Sequence, residues 1–407
     1  MDFKLAWRNI WRNPRRSILT MAAVAFATML LVFMLSWQFG SYETMINATV
    51  SIRTGHLQVQ AKGYHENREI RKVVTDPRAV VAILKHTPGI RAYTFRGESY
   101  SLVSSKNRTY GALVTGIDPA REPDVSTIKE LVREGSFLTR QDMAEAIVGH
   151  LLAKNFSVGV GDELVVLGQG RDGSIAATTV RIKGIFNSGQ DEFDRGVIYV
   201  PLAFFQEVYG MNGAVNSVVA VCDSLDAVPT AKNRIQKGVA GMNGLAVLDW
   251  QELTPGLVQA IEMDLISGLL FYVILIVVVA FSIMNTFLMA IFERTREFGV
   301  MMAMGIRPGR LMRILVMESL GMTVIGVLAG IVAGSLITWY FQVNGFVISG
   351  AEEMMRQFGL PERMYPQLSL LSIGTGAAIV LVLTCLTALY SAFRVRRLKP
   401  VQALTAV

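Results

Sequence analysis

Residues 292–310 read FERTREFGVMMAMGIRPGR, and the fold turns on this stretch. It follows 28 uncharged residues, 265–292, and places four charges among the five residues 293–297. Another apolar run begins a few residues later. This is the pattern of a chain that leaves a bilayer, turns at its surface and re-enters. Three further runs carry no charge: 17–42, 319–351 and 364–393. All four exceed the roughly 20 apolar residues needed to cross a hydrocarbon core about 30 Å thick. Buried core helices seldom run charge-free for so long. Four membrane spans are expected, which accounts for a 407-residue chain that is 52% hydrophobic.

The formal net charge of +7 could suggest nucleic acid, but its distribution excludes that reading. Residues 40–262 hold 23 Lys/Arg against 24 Asp/Glu, which is close to neutral. The basic excess lies in three flanks: Lys4 to Arg16, Arg294 to Arg313, and Arg394 to Lys399. Four spans put these flanks on one side, and the positive-inside rule makes it cytoplasmic. Both termini are then cytoplasmic and residues 40–264 lie outside, as in a bacterial inner membrane. The first run is too long for a signal-peptide core, and no A-x-A site follows it. The two cysteines, Cys222 and Cys385, fall in an outer segment and a span, so they cannot pair within one chain.

Residues 1–16 put Phe3, Trp7, Ile10 and Trp11 at helical spacing, with Lys4, Arg8, Arg12 and Arg15 opposite. This predicts an amphipathic helix in the membrane interface, facing lipid, ended by Asn13-Pro14. The spans are placed at 17–39, 265–292, 314–341 and 368–393. The first continues outward as an amphipathic stalk through Tyr42, Ile46 and Val50. The second begins early, with Thr254-Pro255 as cap and first helical residue. From Pro255 its helix would run about 57 Å at 1.5 Å per residue, nearly twice the hydrocarbon thickness. Between the stalks lies a large α/β domain, with a β-rich subdomain at about 114–213 inserted in a smaller α/β one. HLQVQ (56–60) reads as a strand, 76–90 as a helix, 162–186 as two strands around a Gly-rich hairpin and then a third, and 216–239 as strand then helix. Residues 342–367 form a short outer segment, 293–313 a cytoplasmic loop and 394–407 a cytoplasmic tail.

The chain has no G-x-x-x-x-G-K-[ST] phosphate loop, no H-E-x-x-H and no G-x-S-x-G. DEFD (191–194) lacks the ligand spacing of a calcium loop and reads as a solvated turn. Neither a catalytic, a metal nor a cofactor site is expected. The polar groups at membrane depth are Asn285, suited to an interhelical hydrogen bond, and Glu318 at the inner end of the third span. In the opening stretch Phe298, Met301, Met302 and Gly305 share one face of a short helix, closed by Gly305 and Pro308-Gly309. Methionine adapts to a partner's groove better than stiff aliphatic side chains do.

FSIMNTFLMAIFERTREFGVMMAMGIRPGRLMRILVMESLGMTVIGVLAGIVAG resembles the FtsX-like permease core of bacterial ABC transporters, the group containing MacB and the lipoprotein-releasing LolC and LolE. An ERTREIG-type segment followed by an A-x-G turn is that family's hallmark, met here by 293–299 and 303–305. LAWRNIWRNPRRSILT and RVRRLKPVQAL resemble the family's ends, and SIRTGHLQVQAKGYHENREI looks closer to the LolC/LolE branch. The resemblance implies a permease subunit that is not itself an enzyme. Its coupling helix, with Glu293, Arg294, Glu297, Phe298, Met301, Met302 and Gly305, would sit in a groove of a separate ATPase that binds ATP and Mg. Two ATPases and a second permease, identical or homologous, would complete the unit. The work would be mechanical: ATPase closure moves the stalks, and the outer domains act on a lipoprotein or other amphiphile and a periplasmic acceptor or adaptor. A MacB-like subunit driving an efflux duct and an FtsX-like transmitter to a cell-wall hydrolase are the alternatives.

Overall fold

The structure is a computed structural model that describes all residues except Met1, Asn13, Asn107, Asn243, Arg294, 348–349, 351–362 and 397–407. Arg294 of the expected coupling set thus lies outside the described residues, as do the side chains of Glu293 and Phe298. In chain order the helices are α1 (Asp2–Arg12), α2 (Pro14–Thr49), α3 (Pro77–Lys85), α4 (Glu122–Val125), α5 (His150–Phe156), α6 (Asp191–Gly196) and α7 (Leu202–Val208). They continue with α8 (Val228–Val239), α9 (Trp250–Leu253), α10 (Pro255–Glu293), α11 (Thr295–Ala303), α12 (Pro308–Asn344) and α13 (Leu370–Arg396). The strands are β1 (Leu57–Ala61), β2 (Ile90–Ser105), β3 (Arg108–Ile117), β4 (Val132–Gly135), β5 (Glu145–Gly149) and β6 (Glu163–Gln169). After them come β7 (Ile175–Phe186), β8 (Val197–Pro201), β9 (Ser217–Cys222), β10 (Leu245–Asp249), β11 (Phe346–Val347) and β12 (Arg363–Met364). The chain divides into two compact units: Met1–Glu43 with Ile261–Val347 and Arg363–Val407, and Thr44–Ala260 with Ile348–Glu362.

In the first unit α2, α10, α12 and α13 are long and apolar enough to span a membrane. Pro14 opens α2, and Ser17 Oγ donates to the Ile10 carbonyl across the break at 2.6 Å. The helices α2 and α12 pack backbone to backbone along Gly326, Gly330 and Gly334. A Cβ at Gly330 would stand 2.5 Å from the Ala25 carbonyl oxygen, and one at Gly326 2.8 Å from that of Met21. Small residues at this spacing let helices approach where lipid tails supply no hydrophobic drive. By contrast, the apolar window of α10 has no buried residue.

Helix α1 departs from expectation. Of the expected apolar face, Ile10 is buried together with Ala6, whereas Trp7 and Trp11 are exposed; the side chain of Phe3 lies outside the described residues. Ile10 reaches α12 at Gly321, where an added Cβ would lie 3.0 Å from Ile10 Cδ1. Trp7 and Trp11 instead pack edge to face on each other, centroids 6.3 Å apart. One face thus serves the helix bundle and leaves the indoles for the interface.

The second unit is built on one sheet, ordered β10-β1-β9-β2-β3-β8-β5-β7-β4, with β6 paired to both β2 and β7. Strand β2 belongs to both halves: its start pairs with β9, and from Arg96 onward it pairs with β3. One core gathers Leu57, Val80, Leu84, Val218 and Ile235. Another gathers Val103, Val114, Val166, Phe205 and Tyr209. Two local expectations are corrected. Residues 175–186 form the single strand β7 rather than two. Thr178, Thr179, Val180 and Ile182 favour extended backbone, and β7 passes from antiparallel β6 to parallel β5 without a break. DEFD is not a solvated turn but opens α6. Asp194 is buried and accepts from Ser188 N at 3.0 Å and Ser188 Oγ at 2.7 Å, with His150 Nδ1 at 3.1 Å.

Candidate functional site

The opening stretch folds as α11, a sharp turn and the start of α12. Gly305 makes the turn at φ 90°, a left-handed conformation that glycine adopts without strain. Its N–H donates to the Met302 carbonyl at 3.0 Å, and Ile306 N donates to that of Met301 at 3.1 Å. Pro308 then opens α12. Met301 and Met302 are half-buried and pack with Ile306 and Leu315 on the buried Leu311. These two methionines therefore fasten α11 to the root of the third span. Among the described apolar side chains of α11 and its turn, the most exposed are Val300, 45%, and Met304, 70%.

Glu297 does not stand alone either. Arg12 Nη2, at the end of α1, donates to both its carboxylate oxygens at 2.6 and 2.5 Å. The sequence offered no signal for this link, because the two residues are 285 positions apart. Glu293 and Phe298 occupy helical backbone at the end of α10 and within α11. Asn285 is exposed on α10 and pairs with none of the described residues, whereas Glu318 is buried on α12. Their sequence positions are both in apolar runs, but the structure gives them different surroundings.

A second region is built around buried charge. In the domain unit the end of the first stalk becomes a π turn, Val50–Thr54, a feature frequent at functional sites. Arg96 donates to the Arg53 carbonyl with one guanidinium nitrogen and to the Glu122 carboxylate with the others. Both side chains are almost fully buried. Thr94 Oγ1 at 3.1 Å and Ser126 Oγ at 2.8 Å complete the shell of Glu122, while Thr127 N donates to the Ser51 carbonyl at 2.9 Å. Gly55 follows at φ 66°, where a Cβ would strike Val219 Cγ1.

Beside the π turn, His56 is buried, and its Nδ1 accepts from Cys222 N at 2.9 Å. The ring proton of the neutral form is therefore on Nε2. Burial, helped by the Arg91 charge, holds the imidazole below its usual pKa. The His56 carbonyl accepts from Trp250 N at 3.0 Å, tying β1 to the residues that lead into α10. The Cys222 thiol is pushed up to about 11 by burial and the Asp223 charge, so it is a packing residue rather than a nucleophile. Among the described residues no group of three or more His, Cys, Asp or Glu is placed to hold a metal.

Two comparisons with family profiles match this chain. A MacB-like periplasmic core domain matches residues 17–237, and an FtsX-like permease C-terminal region matches 269–400. The lipoprotein-releasing system transmembrane protein LolC of Xylella fastidiosa is 25% identical, covering 97% of this chain and 95% of its own length. The pyoverdine export ATP-binding/permease protein PvdT of Pseudomonas aeruginosa is 23% identical over 81% of this chain and 50% of its own length. Among solved structures, the periplasmic region of MacB from Actinobacillus actinomycetemcomitans covers 51% of this chain and 94% of its own, at 14% identity and a TM-score of 0.36.

Proposed function

Because this chain belongs to the FtsX-like, MacB-type family of ABC transporter permeases, we propose that it carries ATPase movements across the inner membrane to extract a lipoprotein or other amphiphile. The observation that carries this reading is similarity along nearly the whole of a LolC protein, 95% of its length. The match to PvdT, an ATP-binding/permease protein, covers 50% of that protein. ATP and Mg would be bound by an ATPase seated on α11, and this chain would hold neither. In that arrangement Val300 and Met304 supply the outermost apolar contact, with Phe298 beside them in sequence. Glu297 and Gly305 shape the segment, and Met301 and Met302 pass its displacement to α12 through Leu311. The basic flanks face the cytoplasm, and the exposed α10 with Asn285 faces a second permease.

The test is reconstitution. The chain, co-purified with its ATPase and placed in proteoliposomes with a lipidated protein, should release that protein only when ATP is hydrolysed. Release requiring an efflux adaptor would favour the MacB-like arrangement, which the match over residues 17–237 supports. Hydrolysis that activates a cell-wall hydrolase, with nothing released, would replace the reading with a signalling one.

A further inference from the structure

The π turn and the strand that follows it close over a small, largely enclosed pocket in the domain unit, about 20 Å3 in volume. A single water needs about 10–15 Å3, so the pocket admits one small guest and no organic ligand. Its place follows from the sequence. Arg53 and Thr54 end the π turn, and Gln58 and Gln60 follow on β1. Leu57 and Val59 are spent on the core, so alternation turns the two glutamines to the other side of the strand. Tyr64 and Arg68 come from the loop beyond β1, Glu98 from β2, and Leu253 from the end of α9, just ahead of α10. The lining thus draws on the chain next to both stalks.

The polar groups of the pocket are out of balance. Gln60 is 2% exposed, and its side-chain amide has no hydrogen-bond partner among the described residues. Thr54 Oγ1 is likewise buried and unpartnered among them. Buried polar groups are costly without a bond, and an orphan in a native fold marks a bound water or ion. Gln58 Nε2 is spent on the Thr54 carbonyl at 2.8 Å. Glu98 is served too: its Oε2 accepts from Tyr64 Oη at 3.0 Å and from Arg68 Nη1 at 3.5 Å. Arg68 offsets that carboxylate, which leaves Arg53 in excess. The Arg53 carbonyl accepts from Arg96, but the Arg53 guanidinium forms no ion pair with a described residue.

We infer that this pocket binds one monovalent anion of chloride size, held by the Arg53 guanidinium, Thr54 Oγ1 and the Gln60 amide. All three can donate: a guanidinium has only donors, an amide has two and a hydroxyl one. A guanidinium is weakly hydrated and gives up water readily for such a partner. A water molecule would satisfy the hydroxyl and the amide but leave the Arg53 charge unopposed. A cation would meet two guanidinium groups against one carboxylate that is already paired. The bound ion ties the π turn to β1, so its presence steadies the end of the first stalk against the domain. The inference stands on the domain unit alone and holds whichever cargo the assembly releases.

The experiment uses the full chain in lipid nanodiscs and follows hydrogen–deuterium exchange while sodium chloride replaces sodium gluconate at constant ionic strength. The gluconate anion is too large to enter. Bound chloride opposes opening, so protection of peptides covering residues 50–60 should rise linearly with its concentration, by about threefold at about twice the Kd. Bromide should act as chloride does. Arg53→Gln and Thr54→Val should each abolish the dependence, with β9 peptides as protected as in the parent. Should Arg53→Gln loosen β9 as well, Thr54→Val, which keeps the shape and every charge, decides. Lys62→Gln removes the same charge from an exposed position outside the pocket and should keep the dependence in full. Exchange indifferent to the anion would mean that the pocket holds water alone and would overturn the inference. So would a chloride response that survives Thr54→Val and Arg53→Gln, or one that disappears with Lys62→Gln.

Discussion

The segment around α11 and the root of the first stalk are both places where a helix hands over to something else, and they are built in opposite ways. The α11 segment keeps apolar side chains outside, Met304 at 70% and Val300 at 45% exposure, and its described ion pair, Arg12–Glu297, is half in solvent. The stalk root hides its charges: Arg96 is 2% and Glu122 0% exposed, and the guanidinium grips the backbone of the π turn itself. A surface that must meet a separate protein cannot complete its own burial. A joint that must bear load inside one domain can, and it uses directional bonds that resist bending. If α11 docks an ATPase and the stalk root passes on its movement, as proposed, burial is what separates the two roles.

The largest expected effect comes from breaking the joint. Arg96→Met leaves Glu122 buried without its cation, which should cost about 3–5 kcal/mol. In the full chain it should appear as early thermal unfolding and protease cleavage within residues 44–260. The double variant Arg96→Met with Glu122→Leu should recover most of that loss, because an apolar pair leaves no charge uncompensated. A single variant as stable as the parent would remove the joint from this comparison.

Next in size is the docking surface. Truncating Phe298, Met301 and Met302 together to Ala removes the packing on Leu311 that presents α11 as well as Phe298 itself, and should weaken ATPase association by about 2 kcal/mol or more, roughly thirtyfold. Insertion and the domain fold should be kept. Val300→Ala with Met304→Ala sharpens the assignment. If these two outermost residues carry the contact, their loss should lower affinity while leaving α11 packed on Leu311. Affinity measured by titrating the ATPase onto nanodisc-bound permease decides between the two sets.

Acidity probes the stalk root by a gentler route. His56 has its pKa depressed in the fold, so the unfolded chain takes the proton more readily. Stability is then full above about pH 6.5, the unperturbed value, and falls as pH drops through that value towards the folded pKa. Asp142, whose carboxyl is held low by Lys183, adds a loss in the same direction at more acid pH. A His56→Gln variant should therefore flatten the stability profile as pH falls below about 6.5, leaving the loss due to Asp142 at more acid pH in place. Parallel profiles for parent and variant would mean His56 is not strained by burial.

The smallest effect belongs to the exposed pair. A double-mutant cycle on Arg12→Gln and Glu297→Gln should give a coupling below about 1 kcal/mol, shrinking with salt. A coupling of several kcal/mol would show α1 to be bolted to α11 as firmly as Arg96 is to the π turn.

Much of this architecture is legible in the chain because a bilayer reads composition one dimension at a time. Uncharged runs of sufficient length must span, and basic flanks set their direction. The close approach of α2 and α12 along Gly326, Gly330 and Gly334 emerged only in the structure, because small residues in a run do not say which helix meets them. The alternation in 56–60 marks β1 as a half-buried strand, whereas the continuity of β7 to Phe186 was missed, because its pairing to β6 and then to β5 is what holds it extended past Gly184.

What sequence by itself determined, then, is the number of spans, the outer domain's class and the position of the segment that turns between the second and third spans. These follow from local rules: hydrophobic length, period and charge. Only the tertiary structure decided which side chains are consumed within the chain and which remain for partners. Met301 and Met302 look free in sequence yet lie against Leu311, Asp194 looks solvated yet is enclosed, and Tyr42, Gln38 and Asp264 converge from runs more than two hundred residues apart. Burial and hydrogen-bond direction depend on contacts between distant residues, and periodicity along one segment carries no record of them.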